Sequence, residues 1–102
     1  MLTLKIKLSS DIEEKLNYLI AKQGNIENFL KDFLIYKTLQ LEKAIFEMEK
    51  DLHKYERKYK ISSSDFYKKY ESGEFEDKND YMIWAGIYEM IQENKDELKK
   101  LK

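Results

Sequence analysis

The sequence contains no proline and no cysteine, and its 102 residues include only three glycines, one tryptophan and one histidine. Without cysteine there is no disulfide framework, no thiolate zinc site and no thiol nucleophile. The three glycines, at positions 24, 73 and 86, are isolated, so no glycine-rich loop can cradle a phosphate. No apolar run reaches the ~20 residues of a membrane-spanning helix. The N-terminal MLTLKIKLSS lacks a signal-peptide core, because Lys5 and Lys7 interrupt it. A cytoplasmic location and no membrane partner are expected. The net charge is only −1, so binding to nucleic acid would have to rest on a local patch. His53 lies between Asp51 and Lys54 on a helical stretch, and Ser62, Ser63 and Ser64 have no histidine near them, so no hydrolytic triad is available. The acidic run from Glu71 to Asp80 lacks the spacing of a calcium-binding loop. The chain reads as non-enzymatic, with no cofactor, no metal and no catalytic residue.

What the sequence does have is a long stretch free of helix breakers, from Ile26 to about Tyr59. Two interleaved seven-residue steps, Leu34, Leu41, Met48, Tyr55 and Thr38, Ile45, Leu52, Tyr59, place an apolar stripe along one face. At 1.5 Å per residue such a helix extends roughly 45–50 Å, too far for so short a chain to cover it alone. A homodimer or higher oligomer is expected. The charges flanking the stripe allow either a parallel coiled coil or an antiparallel hairpin with the last helix. Lys50, Lys54, Arg57, Lys58 and Lys60 make the end of the long helix basic and read as compensation of its dipole.

Upstream, Leu2, Leu4, Ile6 and Leu8 alternate with Thr3, Lys5 and Lys7, the pattern of a strand with one buried face. The chain offers it no second strand, so pairing with the same strand of another copy is expected. Ser10 with Glu13 marks a helix start, and Ile12, Leu16, Leu19 and Ile20 recur at helical spacing up to Gly24. Asn25 then caps the long helix.

The stretch LTLKIKLSSDIEEKLNYLIAKQGNIENFLKDFLI resembles the ribbon-helix-helix DNA-binding proteins. The resemblance implies a mainly α fold in which the N-terminal strand pairs across a dimer and lies in the major groove. It implies that Thr3, Lys5 and Lys7 face DNA and that Asn25 at the second helix start holds a backbone phosphate. The groove-facing set has no Arg, Asn or Gln for bidentate base contacts. On this reading residues 1–45 form the dimerisation and DNA-binding region and residues 46–102 a helical extension.

In that extension Ser62-Ser63-Ser64-Asp65 opens a short helix ending at Gly73, Asp77 with Asp80 reads as the capping box of a last helix from about Lys78 to Leu101, and the long and last helices form a candidate hairpin. Gly86 suggests a close approach by another backbone or ring. Trp84 reads as a core anchor, while the aromatic set Phe66, Tyr70, Phe75, Tyr81, Trp84 and Tyr88 is equally suited to a partner-binding surface. The segment YKISSSDFYKKYESGEFEDKNDYMIWAGIYEMIQ resembles small prokaryotic antitoxins, nearest to those of the TumA-like type. That resemblance implies an antitoxin that represses its own operon and neutralises a small toxin with its C-terminal half. The alternative is a helical homo-oligomeric scaffold that does not touch DNA.

Overall fold

The computed structural model describes residues 1–102 and contains four helices and no strand: α1 (Ser10–Gln23), α2 (Ile26–Tyr59), α3 (Ser63–Glu71) and α4 (Asn79–Leu101). The expected N-terminal strand is not formed; Met1 to Ser9 have no regular structure. The reason is physical. A ladder needs a second row of backbone donors and acceptors, and alternation of Leu2, Leu4, Ile6 and Leu8 alone supplies only the side-chain pattern. The ribbon-helix-helix fold class is therefore corrected to an all-helical one.

Packing divides the chain into two compact units, Met1–Tyr36 and Lys37–Lys102, with α2 contributing to both. The division falls ahead of residue 45, because Ile45 itself belongs to the core of the second unit.

The first unit is built from local signals. Ser9, not Ser10, is the N-cap of α1, and it supplies its carbonyl to the Glu13 amide at 2.9 Å without a side-chain cap bond. Gly24 ends α1 at φ 95°, a left-handed conformation costly for any residue with a Cβ. Asn25 Oδ1 accepts the Asn28 amide at 2.8 Å and so caps α2 as its side chain suggests. Nothing in this unit is buried. Only Leu16, Ile20 and Phe29 are partly covered.

The second unit has a closed core. Phe66 and Trp84 are 0% exposed, and Ile45, Leu52, Ala85 and Ile91 complete it. The α2 stripe from Ile45 to Tyr59 faces this core, and α4 runs back along it antiparallel. Ion pairs mark the register: Lys58–Asp80 at 2.7 Å, Glu49–Lys95 at 3.5 Å and Glu42–Lys102 at 2.7 Å. Of the two arrangements open to the stripe, the hairpin is the one formed. Ser62 Oγ accepts the Asp65 amide at 3.1 Å and starts α3, and Gly73 follows its end at φ 80°.

Two expectations for α4 are corrected. Its N-cap is Lys78 with no side-chain bond, because Asp80 is drawn instead to Lys58 and Tyr59, 22 and 21 residues away. A Cβ at Gly86 would meet nothing within 4 Å, so no backbone or ring approaches there.

Candidate interaction surfaces

In the first unit Thr3, Lys5 and Lys7 are all exposed, and neither lysine makes an ion pair. With no strand to hold them, they do not form the fixed outward row that alternate positions of a ladder would give. Lys7 and its neighbours Ile6 and Leu8 line a groove of about 580 Å³ whose other wall is Leu16, Ile20 and Glu13 of α1 together with Ile26 at the start of α2. Asn25 lies on the surface beside the groove's Ile26, its side-chain oxygen occupied by the Asn28 amide.

The apolar residues of this unit face outward in numbers that its size does not explain. Leu2 is 80% exposed, Ile6 66% and Phe33 50%, and Leu4, Leu8, Ile12, Leu19, Ile26 and Leu30 are exposed as well. Isolated exposed leucines are ordinary; so many on a unit without a buried residue set it apart from the second unit.

The C-terminal aromatics divide differently. Phe66 and Trp84 stack with ring centroids 3.8 Å apart and planes 2° from parallel, entirely inside the unit. Neither side chain is exposed in the folded chain. Tyr55 and Tyr59 of α2 stack on the same indole at 5.6 and 5.7 Å. Phe75 and Tyr81 are half-buried, edge to face at 5.0 Å, and both touch Phe66. Tyr70 is half-buried against Phe66, and Tyr88 against Tyr67 at 4.7 Å. The exposed large apolar residues of α4 are instead Met82, Ile83, Met90 and Leu101, to which aromatic content gives no clue.

Polar contacts between side chains and between helices also hold this unit together. Glu56 of α2 accepts the Ser63 amide at 2.8 Å, a cap for α3 supplied from another helix. Tyr67 donates to Glu89 at 2.7 Å, and that carboxylate is the main reason its phenol is pushed well above the usual range. Lys58 and Tyr59 both donate to one oxygen of Asp80, at 2.7 and 2.6 Å. The Lys58 bond, then the Tyr59 bond, hold the Asp80 carboxyl below its ordinary value, and the same bonds raise both donors. His53 is exposed, 4.0 Å from Glu56. No helix is long and apolar enough to cross a membrane. No protein-family model, curated protein or solved structure matches the chain.

Proposed function

We propose that this chain is a non-enzymatic, self-associating regulator that binds DNA through its N-terminal unit, acting in the cytoplasm as the antitoxin of a toxin–antitoxin pair. The observation that supports it is the first unit itself: 36 residues with two helical segments and no buried side chain. Fewer than ~40 residues rarely make a stable core alone, and this stretch has no cysteine to form a disulfide and no cluster of metal-ligating side chains. Its exposed Leu, Ile and Phe side chains call for a cover, and a stable interface provides ~800 Å² of it per partner. A second copy is the simplest cover, since the groove and the apolar residues that would fill it are on the same segment.

Association brings two N-terminal arms together, each with unpaired Lys5 and Lys7 beside Thr3. Four ammonium groups on one side of a dimer suit phosphates, whose neutralisation releases counterions. The antitoxin role comes from the sequence resemblance alone. If a toxin is bound by the C-terminal unit, it meets Met82, Ile83 and Met90 rather than the buried Phe66 and Trp84.

The test is an electrophoretic shift of a duplex from the chain's own upstream region at low salt. Wild type shifts it; Lys5→Ala with Lys7→Ala does not, while the helical content is unchanged. Every phosphate that is no longer neutralised flattens the slope of log affinity against log salt by about one. A second reading, a scaffold without DNA binding, is favoured by the absence of a strand to present the lysines in a row. A wild-type protein that shifts no such fragment selects that reading.

A further inference from the structure

The end of α2, one side of α3 from Asp65 to its last turn, the turn before α4 and the first turn of α4 line an open cleft of about 610 Å³. Its rim carries Lys60, Lys68 and Lys69, none of which makes an ion pair, and a single carboxylate, Asp65. Between them lie the half-buried Tyr59, Ile61, Phe75 and Tyr81, a mainly aromatic lining. Three unpaired ammonium groups around one concavity repel one another, an arrangement that an anion relieves. The nearby Asp80 does not supply that anion, because Lys58 and Tyr59 already occupy it.

Lys60 adds an independent observation. It follows the last residue of α2 at φ 55°, the one non-glycine residue of the chain in the left-handed region. Glycine is the residue that takes this helix-end position without strain. A lysine there puts charge at the cleft at a conformational cost, and residues held in such regions cluster at active sites, ligand clamps and switch regions.

We propose that this cleft binds a phosphorylated ligand of mononucleotide size. The phosphate lies among Lys60, Lys68 and Lys69, the planar part rests on Ile61 and Phe75, and Asp65 accepts a hydrogen bond from a sugar hydroxyl or a base amine. Lysine is the point-charge donor suited to phosphate; bidentate capture of a carboxylate favours arginine, and the cleft has none. The volume falls in the ~300–1,000 Å³ range of small-ligand pockets. The same chemistry is offered by a free nucleotide and by the 5′-phosphorylated end of a single strand. The site lies wholly within the second unit and does not rest on the function proposed for the first.

Calorimetric titration of the full chain at about 50 mM salt tests it with ADP, a 5′-phosphorylated oligonucleotide, pyrophosphate and a glutamate-rich peptide. ADP or the phosphorylated oligonucleotide, or both, bind, and which of them does identifies the source. Lys60→Gly weakens that binding at least about tenfold while its melting temperature is equal to or above wild type, because glycine relieves the left-handed strain. Lys68→Ala with Lys69→Ala does the same. Asp65→Ala, which removes the acceptor, weakens the nucleotide but not pyrophosphate. Nucleotide binding untouched by the lysine substitutions, no heat with either nucleotide, or tighter binding of the acidic peptide through the same lysines each overturns the assignment.

Discussion

The indole nitrogen of Trp84 donates a hydrogen bond to the hydroxyl of Ser63 at 2.9 Å, and both side chains are buried. The Ser63 amide in turn donates to Glu56, so one serine ties α2, α3 and α4 together. Within the core this is the only route by which the indole N–H is satisfied. Ser63→Ala leaves that donor without a partner, at a cost of about 1–3 kcal/mol. Urea unfolding should show a lowered midpoint with an unchanged slope. Trp84→Phe removes the donor as well, so in the double variant the serine substitution should cost measurably less; additive losses would mean that the bond carries no coupling.

Phe66 is the other half of the centre, stacked on Trp84 with no exposure. Phe66→Ala removes a buried ring and leaves a cavity among Tyr70, Phe75, Tyr81 and Trp84, a loss of about 3–5 kcal/mol. A unit this small has little more than that to lose. Because Trp84 is the only tryptophan, its emission reports directly on this site. A red-shifted spectrum and loss of cooperative melting are expected; a wild-type melt would show that the aromatic stack is not the core of the unit.

Asp80 links the start of α4 to the end of α2, and its effect on stability has a defined pH dependence. Its carboxyl is depressed in the folded chain by Lys58 first and Tyr59 second, so the stabilisation is present above about pH 4, the unfolded value, and is lost as pH falls through the lower folded value. The two donors are raised, so their share is present at neutral pH and disappears as pH climbs through their folded values above about 10. Asp80→Asn should melt below wild type at neutral pH, with the two curves converging in acid. Curves that stay apart at the lowest pH would assign the difference to something other than this carboxylate.

The features legible in the sequence are those encoded within a few residues. Gly24 after the Leu16–Ile20 face, Asn25 three residues ahead of Asn28, and Ser62 three ahead of Asp65 each act on their own neighbours, and each boundary falls where these residues place it. The heptad stripe of α2 shows that a face would be covered but not by what, since α4 and a second copy fit its spacing equally. Asp80 illustrates the limit. Its position after Asp77 suggests a helix cap, yet Lys58 and Tyr59 reach it from another helix and outcompete the backbone. The aromatics of α3 and α4 pose the same difficulty, because Phe66 and Trp84 become core only once α4 folds back. The N-terminal alternation is a side-chain pattern whose backbone partner lies outside anything these residues specify.

Completion of the first unit by another copy of the chain is decided by the mass in solution. Sedimentation equilibrium should give a multiple of the 12.4 kDa chain mass for wild type. Leu30→Asp with Phe33→Asp, which would place two charges in the covered face at a cost of several kcal/mol, should give a monomer whose Trp84 emission remains that of the folded C-terminal unit. A wild-type protein that sediments as a 12.4 kDa monomer, with slow amide exchange throughout α1, would contradict self-association as the source of the first unit's stability.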